Sequence, residues 1–122
     1  MKLSRAEEEL MNYIWERKKA YMKDLLDAYP DPKPALTTIA TLLKRMQEKH
    51  IITYKTHGKA REYYPLISKE SYFGSHIKGL IKNFFNNSPA QFASFFTEET
   101  QLSERELESI REVIDAQLNH RK

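Results

Sequence analysis

The chain has 122 residues, 40% of them hydrophobic and 11% aromatic, enough for one domain or a small domain with an accessory unit and too apolar for general disorder. It contains no cysteine, which excludes a disulfide framework and any thiolate metal site. No apolar run approaches the roughly 18 residues of a membrane span, and "MKLSRAEEEL" holds no apolar signal core, so a cytoplasmic protein without membrane insertion is expected. The net charge of +3 is unevenly spread. Lys33 to Arg61 carries seven Lys/Arg against the single acid Glu48, whereas Ile67 onward carries seven against eight acids. A basic segment joined to a nearly neutral one suits a nucleic-acid-binding module with a second unit attached.

Ser4-Arg5-Ala6-Glu7 is a capping box, in which the serine hydroxyl accepts from the N3 amide and the glutamate reaches back. It predicts a helix to about Lys18, with Leu3, Ala6, Leu10 and Ile14 inward and Tyr13 and Trp15 flanking them. Met22 to Tyr29 reads as a short second helix with Leu25 and Leu26 inward. "PDPKP", Pro30 to Pro34, then forces a turn. A third helix follows to about Lys49. Its Ile39, Leu42, Leu43 and Met46 fall at i, i+3, i+4 and i+7, one buried face. Its other face carries Thr37, Thr38, Thr41, Lys44 and Arg45. "IITYKTHGKAREYYPL" holds two β-rich runs around Gly58 and reads as a hairpin with a basic tip.

From Ser68 the character changes. Tyr72, Phe73, Ile77, Leu80, Ile81, Phe84 and Phe85 form a wide apolar stripe on a long helix. Ser88 and Pro89 start another, carrying Phe92, Phe95 and Phe96. Ser103 to Glu106 is a second capping box, with Leu102 and Leu107 placed for a hydrophobic staple, and Leu107, Ile110, Ile114 and Leu118 then make a seam. These stripes are too wide for so small a unit to bury alone. A twofold dimer through Tyr72, Phe73, Ile77, Leu80, Ile81, Phe84, Phe85, Phe92, Leu107, Ile110, Ile114 and Leu118 is therefore expected. The alternative is that they fold back on the N-terminal part.

The expected fold is mainly α. Residues 1–67 form a winged helix-turn-helix of three helices and a β-hairpin wing, and residues 68–122 a helical dimerisation unit. The third helix would read double-stranded DNA. Thr37, Thr38 and Thr41 are short enough for its N-terminal half to approach base edges, and each offers a hydroxyl and a methyl. Lys44 and Arg45 would grip the backbone, with Lys59 and Arg61 holding it from the wing. The four histidines show no metal spacing and three glycines make no phosphate loop, so neither an enzyme nor a cofactor or metal site is expected.

In this order and spacing the chain resembles the BlaI/MecI type of bacterial repressor, within the wider group that includes copper-responsive CopY. "LSRAEEELMNYIWE" is similar to the family's opening helix, Thr38-Ile39-Ala40-Thr41-Leu42 to its Thr-Ile-x-Thr-Leu recognition motif, "HGKAREYYPL" to its wing and "SFFTEETQLSERELESI" to its C-terminal end. The resemblance implies a homodimeric repressor on a dyad operator, with repression ended by a membrane sensor metalloprotease or its effector. The bond matching the family's cleaved Asn-Phe lies between Phe95 and Phe96. Two other readings stay open: a winged-helix regulator whose aromatic C-terminal half binds a small molecule, and a winged-helix adaptor that binds protein.

Overall fold

A computed structural model describes residues 2–121. Helix α1 (Arg5–Arg17) begins at the predicted capping box: Ser4 Oγ accepts from the Glu7 amide at 3.2 Å, and the Ser4 amide donates to Glu7 Oε1 at 2.8 Å. It ends at Lys18, whose φ of 68° stops the helical repeat. Its inward stripe is rotated from the expected one. Ala6 is exposed, and Glu7 and Met11 are buried beside Leu3, Leu10 and Ile14. At 100° per residue Ala6 lies on the edge of that stripe, and the longer Met11 fills the core from the other edge.

A two-residue strand, β1 (Ala20–Tyr21), leads into α2 (Met22–Ala28), and the proline-rich turn leads into α3 (Leu36–Glu48). Ile39, Leu42, Leu43 and Met46 of α3 are all buried, on the face the spacing predicts. Strands β2 (Ile52–His57) and β3 (Ala60–Pro65) form the hairpin, with Tyr54 opposite Tyr63 and Thr56 opposite Arg61. Gly58 takes φ of 63° at the first of the two turn residues, a position where a Cβ would be strained. The sequence pattern did not foresee β1. Two residues carry no readable alternation, yet they pair antiparallel with β3 and make a three-stranded sheet in the order β1-β3-β2.

The start of helix α4 (Lys69–Phe84) belongs to this core. Tyr72 is 2% exposed; its hydroxyl accepts from the Leu3 amide and donates to Glu8 Oε2, both at 2.9 Å. The Trp15 ring lies against Tyr72 and Phe73, and its indole N–H donates to the Ile67 carbonyl at 2.9 Å. Accordingly, the chain divides into two compact units between Gly74 and Ser75.

Beyond that point lie the rest of α4, α5 (Pro89–Glu99) and α6 (Glu104–Arg121). Ser88 caps α5 by accepting from the Gln91 amide, with Pro89 at the first helical position. Ser103 and Glu106 close the second capping box, at 2.9 and 3.1 Å. Phe85 packs on Phe92 and Phe95 with ring centres 5.5 and 5.1 Å apart. Among the described residues from 75 onward, none is buried.

One ion pair joins the two ends of the N-terminal core. Lys49, the C-cap of α3, donates to Glu7 Oε1 at 2.7 Å, and Glu7 is 2% exposed. Burial pushes the Glu7 carboxyl up, but the bonds from Lys49 and Ser4 together outweigh it and hold the carboxyl below its ordinary 4.5. A depressed carboxyl contributes stability that is complete above the unfolded value and is lost as pH falls through the folded one. Lys49→Met is expected to cost about 1.5–3 kcal/mol in urea unfolding of the full chain, the range for a hydrogen bond to a charged group. Glu7→Gln should lose less stability than the parent between about pH 5 and pH 3. Equal acid slopes would show that the pair is not coupled to folding.

Candidate nucleic-acid interface

With its apolar stripe buried, α3 has only one way to face. Thr37, Thr38, Thr41, Lys44 and Arg45 are all exposed, with Thr37, Thr41 and Lys44 facing away from the stripe and Thr38 on its flank. No side chain caps the helix at Ala35, so its first-turn amides are not engaged by a capping group. The Thr41 hydroxyl donates to the Thr37 carbonyl at 2.9 Å. Its donor is thus used within the helix, and what Thr41 offers outward is an acceptor and a methyl.

The wing contributes Lys59 at its turn and Arg61 on the inner face of β3. The Arg61 guanidinium carbon lies 4.3 Å from the centre of the Tyr54 ring, a cation–π contact that limits its rotamers. Hydrogen bonding to Tyr63, with Tyr54 beside it, raises the Arg61 pKa further, so it stays charged. Lys55 sits on the other face of the hairpin, over Tyr64 and opposite Glu62. Glu62 also meets His57 Nε2 at 3.2 Å.

Two shallow recesses show how these parts meet. One is lined by Ala40, Lys44, Gln47 and Glu48 of α3 together with Met22, Arg61 and Tyr63. The other is lined by Tyr21, Lys23, Lys59 and Ala60 with the same Met22, Arg61 and Tyr63. Lys44, Lys59 and Arg61 therefore converge, with Arg61 shared between the two. Thr37 and Thr41 lie next to Lys44 on the helix, while Thr38 and Arg45 turn to the flank away from the hairpin by helical geometry. Lys23 joins the basic group without having been expected. The signal was available: a lysine in the first turn of a helix opposes the helix dipole and needs another reason to be there.

The apolar residues from α4 to α6 divide into three sets. Ile77, Leu80, Phe84, Leu107, Ile114 and Leu118 are exposed, Phe84 to 75%. Ile81, Phe85, Phe92 and Ile110 are half-buried against their own unit. Tyr72 is a correction: its ring is enclosed in the N-terminal core and its hydroxyl is bonded there, so it has no surface to give a partner copy. Phe73, beside it, keeps part of its ring exposed while packing on Trp15. Val113, at 57% exposure, extends the α6 seam beyond the expected residues. Phe95 and Phe96 are exposed within α5. Among the described residues, no group of three or more His, Asp or Glu could hold a metal ion.

The penicillinase repressor family profile matches residues 3–116. The methicillin resistance regulatory protein MecI of Staphylococcus aureus (strain N315) is 28% identical over 114 residues, covering 93% of this chain and 93% of that protein. The penicillinase repressor of Bacillus licheniformis is 23% identical over 121 residues, 98% of this chain and 94% of its own. A solved CopR repressor structure is 28% identical, with a TM-score of 0.47, over 56% of this chain and all of its own.

If the converging cations meet phosphates, salt should expose them. Lys59→Ala and Arg61→Ala are each expected to flatten the slope of log K for duplex DNA against log salt by about one unit per copy of the chain bound. Lys55→Ala, on the opposite face of the hairpin, should leave that slope unchanged. Slopes unaltered by both inner-face substitutions would remove the wing from the interface.

Proposed function

The chain belongs to the penicillinase repressor family, and on that premise we propose that it represses transcription as a cytoplasmic homodimer bound to a dyad operator in double-stranded DNA. The family is one of transcriptional repressors, which are not enzymes. The observation that carries the reading is the placement of α3. Its buried stripe turns Thr37, Thr41 and Lys44 outward, beside a hairpin whose Arg61 lines the same recess as Lys44. A helix so presented enters the major groove, and a basic hairpin beside it reaches the flanking backbone. No helix among the described residues is long and apolar enough to cross a membrane.

The homodimer rests on the C-terminal helices. A unit with no buried side chain among its described residues and a row of exposed Leu, Ile, Val and Phe gains its core from a second copy. Twofold symmetry then places two α3 helices on two half-sites. Derepression would follow a signal relayed by a membrane sensor metalloprotease or its effector. Cleavage at Phe95–Phe96 would first require α5 to open, because that bond lies within the helix and proteases bind extended chain.

Two experiments test these parts separately. Ile114→Glu with Leu118→Glu in the full chain should shift sedimentation from dimer to monomer and weaken operator binding. An unchanged dimer would move the interface off α6. Thr41→Ala should lower the ratio of operator to random-duplex binding by less than the roughly 1–3 kcal/mol of a bidentate base contact. Arg45→Ala should weaken both kinds of binding alike. A ratio left unchanged by Thr41→Ala and by Thr38→Ala would sink the assignment of this face as the reading face.

A further inference from the structure

We propose that the outward face of α3 recognises its DNA chiefly through thymine 5-methyl groups rather than through hydrogen bonds to base edges. The inference rests on the DNA-reading role proposed above and names the chemistry of that contact. From Leu36 to Leu43 the helix has no Arg, Lys, Asn, Gln, Asp or Glu. The side chains that make bidentate contacts with guanine or adenine are therefore missing from the half of the helix that approaches the bases.

What stands there is apolar or nearly so. Leu36 is 53% exposed, and Ala40, one turn on, is exposed beside it. Thr37 and Thr41 form the adjacent row, both exposed. The Thr41 hydroxyl hydrogen is directed to the Thr37 carbonyl, so this threonine brings its methyl and an acceptor, not a donor. The first cation of α3, Lys44, comes about two turns after Leu36, where it is placed for the backbone. A single exposed leucine needs no explanation. Leu36 and Ala40 at i and i+4, flanked by two threonine methyls, make a patch with a common chemistry. In the major groove only thymine presents a methyl, so such a patch selects A·T pairs by dry contact at the pyrimidine C5 position.

The probe is DNA with and without that methyl. The full-length chain enriches duplexes from a random library made with thymidine triphosphate. The enriched pool is then remade with deoxyuridine triphosphate, which deletes the methyl and keeps every hydrogen-bonding group. Binding to the uracil pool should be weaker by about tenfold or more, since each buried methyl is worth roughly three- to fourfold and two or more are lost. Binding to unselected random duplex should be the same with either base. Leu36→Ala should shrink the thymine-over-uracil ratio by about threefold, whereas Lys44→Ala should weaken both pools and leave the ratio alone. Equal affinity for the two enriched pools would overturn methyl reading while leaving DNA recognition standing. Failure of the library to enrich at all would overturn both.

Discussion

The rotation of α3 about its own axis is the constraint on which the candidate interface depends. Ile39, Leu42, Leu43 and Met46 are each buried. Turning the helix by one residue, about 100°, would expose part of that stripe and bury a threonine or a lysine in its place. Burying such a side chain contributes roughly 1.5–3 kcal/mol, so the four together hold the angle far more firmly than any exposed contact could. The axial position is held separately. Lys49 ties the C-terminal end of α3 to Glu7, which the capping box already fixes at the start of α1. The face presented outward is thus a consequence of the core, and none of its own residues is required to maintain it. That separation leaves the exposed Leu36, Thr37, Ala40, Thr41 and Lys44 free to vary without cost to the core.

A similar economy governs the passage to the C-terminal helices. α4 starts as part of the N-terminal core, with Tyr72 bonded to Leu3 and Glu8 and its ring tilted against Trp15. Burial and the Glu8 contact push the Tyr72 hydroxyl up, so it remains a protonated donor at neutral pH even though the bond from Leu3 acts the other way. The linking helix is anchored by several side chains of α1 before it leaves the core. Past Gly74 the balance reverses: the aromatic groups pack on one another at the α4–α5 turn, where Asn86 and Asn87 take positive φ, and apolar surface remains unburied.

Much of this was legible in the sequence because local rules and global packing agree. Both capping boxes, Ser88-Pro89, the α3 stripe and the glycine-centred hairpin each have a short-range signature that tertiary structure did not override. The misses come from interactions that no local pattern encodes. Glu7 reads as the glutamate of a capping box, and nothing local announces its burial or its bond to Lys49, 42 positions away. Met11 replaces Ala6 because the core, not the spacing, decides which edge of a stripe is filled. β1 exists through its pairing with β3 alone. Tyr72 looked like one more residue of a long apolar stripe; its hydroxyl distinguishes it, since a buried tyrosine needs a partner for its O–H and here finds one in the first turn of α1. For the candidate interface, the residue types on α3 and the wing were readable, but their convergence on two recesses that share Arg61, one of them also lined by Lys23, was not.

The chemistry of the reading face bears on why a second copy would matter. Methyl contacts and single hydrogen bonds from threonine are individually weak, each worth less than a bidentate arginine–guanine pair. One copy of such a face would separate its site from random duplex by only a modest factor. Two copies held by a rigid interface multiply their discrimination, because the second half-site is engaged at high effective concentration. In the proposed role the cations on α3 and the wing would contribute affinity without discrimination, so they could not substitute for that product. A repressor built on weak base contacts therefore places its specificity in the geometry between its two reading helices. If the chain dimerises through its C-terminal helices as proposed, a signal that loosens that association would weaken specific binding while leaving each N-terminal core folded, since that core, including the first turn of α4, is complete in one chain.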